Sequence, residues 1–168
     1  AASSFYENGK YNLKINGEQK SLTSEEMVKW YSDLVEKYPI ISIEDGLAED
    51  DWEGFNLLTK TIGDKVTIVG DDLLVTNIKR IEMAIERQAV NSVLIKLNQI
   101  GSVSETVKAI TMAQKEGWKP FASHRSGETT DTFIADMAVG LCCPFIKSGS
   151  LMRGERVCKY NRIMEIEK

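Results

Sequence analysis

The sequence is poor in almost every feature that marks a specialised class of chain. Only three of its 168 residues are cysteine, Cys142, Cys143 and Cys158, and they have no disulfide-framework spacing. A reducing cytoplasm is the natural compartment, and the adjacent Cys142 and Cys143 are expected to be buried thiols rather than a vicinal disulfide. No apolar run approaches the length that crosses a bilayer, and no N-terminal signal pattern is present. Positive charge is in deficit, with 21 Lys and Arg against 25 Asp and Glu, which argues against nucleic acid as the main partner. No low-complexity stretch or linker breaks the chain, so it reads as one domain. The chain opens at Ala1 rather than Met, as expected of a trimmed piece. With 42% hydrophobic and 27% charged residues, it has ample material for a folded core.

Proline is scarce too, and its placement is informative. Pro39, Pro120 and Pro144 each stand at or near the start of a short apolar run, where a strand tolerates a missing N–H. Five such runs recur: Ile40–Glu44, Val66–Asp71, Ser92–Lys96, Phe121–His124 and Phe145–Lys147. They are β-branched or aromatic and mostly non-alternating, the pattern of parallel strands buried on both faces.

Helical patterns lie between them. Thr23-x-x-Glu26 and Ser102-x-x-Glu105 have the form of capping boxes, and Gly117 is placed to stop the second helix. Further helices are expected over 51–62, over 78–89 with Thr76 as cap, over 133–141 and over 153–164. The runs end about every 26 residues. Eight units at that period would need roughly 210 residues, and closed barrels of such units typically run to about 250. The expectation is an α/β fold: a partial (β/α) TIM-type barrel of about five parallel strands, each followed by a helix.

Chemistry-bearing residues collect where such folds place their active sites, at the carboxyl ends of strands. The five runs end in Glu44, Asp71, Lys96, His124 and Lys147. Carboxylates suit Mg²⁺, which takes few protein oxygens and completes its shell with water and substrate. A lysine facing such a cation, with a second lysine near by, is a candidate general base.

At this point the motifs resemble a known family. Ser42-Ile43-Glu44-Asp45, Val69-Gly70-Asp71-Asp72-Leu73, Ile95-Lys96-Leu97-Asn98-Gln99-Ile100-Gly101, Ser123-His124-Arg125-Ser126-Gly127-Glu128-Thr129 and Ile146-Lys147-Ser148-Gly149 resemble enolase, in order and at family spacing. The resemblance runs from Ala1-Ala2-Ser3-Ser4-Phe5-Tyr6 to Lys159-Tyr160-Asn161. It implies a Mg²⁺-dependent lyase of glycolysis, dehydrating 2-phosphoglycerate reversibly to phosphoenolpyruvate. Glu44 and Asp71 would be metal ligands that also border the substrate. Lys96 would be the general base, and Lys147 would pair with the substrate carboxylate. Arg125 and Ser126 would contact phosphate, and His124 would help organise the closed site. A sugar-acid dehydratase of the same superfamily is disfavoured by Arg125-Ser126-Gly127-Glu128.

The resemblance also marks departures. The family's third metal carboxylate precedes its Ala-Ala-Ser segment, which here begins the sequence; the acid-side glutamates, the closing loops and the N-terminal domain lie outside the sequence too. Residues 1–168 therefore correspond to the C-terminal part of an enolase-type barrel domain, expected to be inactive in isolation. Gly46 and Ile78 stand where the family often has proline, and Ser148 where it has threonine. Open strand edges in a partial barrel invite pairing, so a homo-oligomer is expected. The contrasting reading is non-catalytic: surface enolases capture plasminogen, often through a C-terminal lysine, and this chain ends in Lys168. It would place the chain at the cell surface or outside the cell.

Overall fold

The computed structural model describes all 168 residues. The chain falls into two compact units, Ala1–Leu74 with Glu82–Ser92, and Val75–Ile81 with Val93–Lys168. No helix is long and apolar enough to cross a membrane.

The first unit opens with a meander to which the sequence reading assigned no element. Strands β1 (Tyr6–Glu7), β2 (Lys10–Ile15) and β3 (Glu18–Leu22) pair antiparallel. Their apolar content is too low for a run-based search. The turn chemistry was nevertheless legible: Asn8-Gly9 and Asn16-Gly17 both have positive φ at both positions, as a two-residue hairpin turn requires.

Helix α1 (Ser24–Lys37) follows, and its capping box is complete: Thr23 Oγ1 accepts from the Glu26 N–H while a Glu26 carboxylate oxygen accepts from the Thr23 N–H. Strand β4 (Ser42–Glu44) then pairs parallel with β5 (Thr67–Gly70) across helix α2 (Trp52–Ile62). Phe55, Leu58 and Ile62 recur at helical spacing and are buried with Ile68 and Val69. Asp51 caps α2 by accepting from the Gly54 N–H, and its other carboxylate oxygen accepts from Tyr11 and Ser24 hydroxyls, each at 2.6 Å. The Tyr11 hydroxyl in turn accepts from the Ala48 N–H. Polar side chains thus fasten the meander to the loop that follows β4, where the chemistry sits.

In the second unit β6 (Ser92–Ile95) pairs with β7 (Phe121–Ser123), and β7 with β8 (Phe145–Lys147), all parallel. Every residue of β6 is buried, which explains its unbroken apolar pattern. The helices are α3 (Ile78–Arg87, shared between the units), α4 (Leu97–Ile100), α5 (Val103–Lys115), α6 (Phe133–Gly140) and α7 (Gly154–Ile166). Five parallel strands each followed by helix make this a partial TIM-type barrel.

Ser102 caps α5, and Gly117, at φ +74°, closes it. Thr76 does not cap α3. Asn77 Oδ1 accepts from the Lys79 and Arg80 N–H groups instead, leaving the Thr76 side chain for the strand-end backbone. The three cysteines are free thiols as expected, but Cys142 is exposed rather than buried, because the chain turns there at φ +52° after α6. Cys143 is more enclosed, and burial pushes its thiol up to about 11.

Candidate active site

Two of the five strand ends lie in the first unit. Asp45, just past β4, has a positive φ of 44°, which an aspartate tolerates better than most residues. Its N–H donates to the Val69 carbonyl at 3.0 Å, carrying the ladder one residue further. Its carboxylate then accepts from two backbone groups of the neighbouring strand end, the Asp71 N–H at Oδ1 and the Asp72 N–H at Oδ2, both at 2.8 Å. The carboxylates of Asp45, Asp71 and Asp72 gather with ligand oxygens within 4.8 Å of one another. Desolvation pushes the Asp45 carboxyl up to about 6, aided by the charges of Asp71 and Asp72 and opposed by the two N–H bonds.

Asp71 and Glu44 are the two metal ligands that the family resemblance implies. The structure brings Asp71 together with Asp45 and Asp72, whereas Glu44 is exposed and lies outside the trio. An all-carboxylate donor set fits a hard divalent cation such as Mg²⁺. Both Asp45 oxygens hold backbone N–H groups, so Asp45 shapes the loop that carries Asp71 and Asp72. Asp45→Ala would strand two N–H donors, each bonded to a carboxylate, and is expected to destabilise the chain by about 3 kcal/mol or more, read from urea unfolding.

The second unit holds the other three. Lys96 follows the buried β6, and its N–H donates to Thr76 Oγ1 at 2.9 Å; Thr76 is fully buried. Two residues on, the Asn98 side-chain oxygen accepts from the Arg125 guanidinium at 2.6 Å. The His124 N–H donates to the Lys147 carbonyl at 2.9 Å, aligning the ends of β7 and β8. The structure therefore ties the Lys96 segment to Arg125 and ties His124 to Lys147.

The turn after β7 is supported from α7. Glu128 Oε1 accepts from the Arg125 N–H at 3.0 Å, and Glu128 Oε2 pairs at 2.7 Å with the ammonium of Lys159, which is fully buried. Lys159 also donates to the Thr129 and Glu155 carbonyls. Burial pushes the Glu128 carboxyl up, but the Lys159 and Arg125 N–H bonds with the charges of Lys159 and Arg156 outweigh it, holding the group below the usual carboxylate range. Arg156, also buried, reaches His124 Nδ1 and the carbonyls of Arg125 and Ser126. The His124 imidazole is held below its ordinary value by burial, then by the Arg156 charge, with Lys147 and Lys159 adding and Glu128 opposing.

Thr76, Asn98, Arg156 and Lys159 escaped the sequence reading as parts of the site. None ends a strand run, and a buried Arg and Lys on one helix look on paper like solvated surface charge.

A cavity of about 500 Å³ in the first unit is lined by Glu49, Asp50, Asp51, Glu53, Trp52 and Arg87 among others. Its wall carries four carboxylates against one guanidinium, which disfavours a phosphorylated substrate there.

Comparison with known proteins places the chain in a family. A family model described as enolase, C-terminal TIM barrel domain, matches residues 1–168. Over all 168 residues the chain is 57% identical to "Enolase 2" and 58% identical to "Enolase 1" of Methanospirillum hungatei, and 55% identical to "Enolase" of a Nitratiruptor species. It spans 39% of the length of each of these relatives. With strand ends that carry acids, lysines and a histidine–arginine turn in the expected order, and a match along its whole length, this chain belongs to the family of enolase C-terminal TIM barrel domains.

Proposed function

We propose that these residues form part of the active site of a lyase that interconverts 2-phosphoglycerate and phosphoenolpyruvate. The observation that carries the reading is the built turn after β7. Arg125 is held at its N–H by Glu128 and at its guanidinium by Asn98, beside the end of β8 that bears Lys147. A planar guanidinium with Ser126 next to it suits the oxygens of a phosphoryl group.

Lys96 takes the proton from C2, the C2–H electron pair becomes the C2–C3 double bond, and the C3 hydroxyl takes a proton from a carboxylic acid of the longer polypeptide and leaves as water. Lys147 pairs with the substrate carboxylate as negative charge builds on it. Asp71, with Glu44 or with Asp72, would hold a Mg²⁺ ion, which when bound supplies concentrated positive charge for that step. The 168 residues by themselves are expected to show little or no turnover, since the named relatives are far longer and catalytic groups act as a unit.

The test uses a polypeptide of the relatives' length that carries this segment. Mg²⁺-dependent appearance of phosphoenolpyruvate is expected, followed by absorbance, and its absence would overturn the reading. In the same protein Asp71→Asn is expected to weaken Mg²⁺ binding by on the order of 10- to 100-fold by calorimetry. Glu44→Gln and Asp72→Asn then identify the companion ligand, since only the true one matches the Asp71→Asn loss. Unchanged binding in all three would reject this site for the cation.

A further inference from the structure

We propose that Arg156 is a positioning residue of this site: its guanidinium holds His124 as the neutral Nε2–H tautomer and clamps the backbone turn that carries Arg125 and Ser126. The inference rests on the proposed function only for why such positioning is useful; the contacts themselves are independent of it.

The geometry is specific. Arg156 Nη1 lies 2.6 Å from His124 Nδ1 and 2.7 Å from the Arg125 carbonyl oxygen, while Nη2 lies 2.9 Å from the Ser126 carbonyl oxygen. Guanidinium carries only donors, so Nδ1 must be the acceptor and cannot carry a proton. The ring proton of the neutral imidazole is then on Nε2, which leaves that nitrogen as a donor. A protonated imidazole would set its Nδ1–H against an Arg N–H, two donors 2.6 Å apart in a part-buried place, so the same contact resists protonation.

Three features make this a built arrangement rather than a chance contact. Arg156 is only 7% exposed, and a buried guanidinium must have its charge and donors answered. The fork spans three acceptors contributed by three consecutive residues, 124 to 126, which one planar group with fixed donor directions can do and an ammonium cannot. Gly149, just beyond β8 and at φ +76°, closes the third side. A Cβ there would lie 3.2 Å from His124 Cε1 and 3.2 Å from Arg156 Cδ, so the backbone itself abuts both partners.

The charged groups around the ring act in one direction except one. Arg156 and Lys159 from α7 and Lys147 from β8 disfavour the imidazolium, and Glu128 of the same turn favours it. Arg156 is the member that also touches a ring nitrogen.

His124 is the only histidine in the chain, which makes the test direct. In protein labelled with ¹⁵N-histidine, the ring nitrogens give one pair of signals. The unmodified chain is expected to show an unprotonated Nδ1 and a protonated Nε2 near neutral pH, with a titration midpoint below the ordinary 6.5. A protonated Nδ1, or rapid averaging between the two tautomers, would overturn the proposal without any variant. Arg156→Met, checked for folding by the dispersion of its amide spectrum, is expected to produce a mixture of tautomers and to raise the midpoint. Arg156→Lys, which keeps the charge but not the fork, is expected to release the Ser126 carbonyl and speed exchange of turn amides. Unchanged ring signals and midpoint in a folded Arg156→Met protein would likewise overturn it. Addition of 2-phosphoglycerate to the longer polypeptide separates the two claims. A ring tautomer as expected together with no response to that ligand upholds the role of Arg156 and counts against the proposed substrate.

Discussion

Glu128→Ala is expected to lower the unfolding free energy of the chain by about 3–5 kcal/mol, because it abandons a buried charge rather than merely deleting a contact. Lys159 is fully buried, and its ammonium is paired with Glu128 Oε2 at 2.7 Å and bonded to two carbonyls. Carbonyl dipoles alone do not replace a carboxylate charge. The Arg125 N–H also loses its acceptor in the same substitution. The double variant Glu128→Gln with Lys159→Met removes both charges and keeps a side-chain carbonyl for the Arg125 N–H. It is expected to recover more than half of the loss, since uncharged replacements for a buried ion pair are often nearly neutral. Urea unfolding followed by circular dichroism reads both. If Glu128→Ala cost under about 1 kcal/mol, the pair would be behaving like a surface salt bridge, contrary to its burial.

Lys96→Ala in a polypeptide of the relatives' length is expected to reduce turnover by about 10²- to 10⁴-fold, the usual worth of a positioned general base. The backbone of this position should stay in place in the variant, because the N–H is held by buried Thr76 and the strand before it is buried at every residue. Exchange of the substrate C2 proton with deuterated solvent should disappear together with turnover, which separates loss of the base from loss of binding. Retained C2 exchange in Lys96→Ala would assign proton removal to another group. Lys147→Ala, by contrast, should keep a measurable exchange rate while weakening substrate binding.

Burial on both faces leaves a mark that needs no partner to be read, and it made β6 legible; β4 and β8 have no fully buried residue and were legible from their isoleucine and phenylalanine content instead. Strand β6 is buried throughout, and each of the five runs closes with an acid, a lysine or a histidine. Helix starts were legible where one side chain answers one nearby N–H, as at Thr23 and Ser102. At Thr76 the same reasoning failed, since Asn77 was the better-placed acceptor and Thr76 was committed to the Lys96 N–H twenty residues away. The meander before α1 was missed because its strands are polar, although its two Asn-Gly turns were in view.

The carboxylates show the boundary most clearly. Glu44, Asp45, Asp71 and Asp72 stand at two strand ends, and nothing local says which of them meet. Only the parallel register of β4 and β5 puts the Asp45 carboxylate under the N–H groups of Asp71 and Asp72 and so builds the trio. Likewise, Arg156 and Lys159 could have faced water on any amphipathic helix. The packing of α7 buried them, and burial forces a charge to find a partner. Local chemistry along the chain determined the βα repeat, the strand ends and the family. Long-range pairing decided which side chains share a site and which hold it in place, because those partners lie 20 to 32 residues apart in sequence and only the folded backbone brings them together.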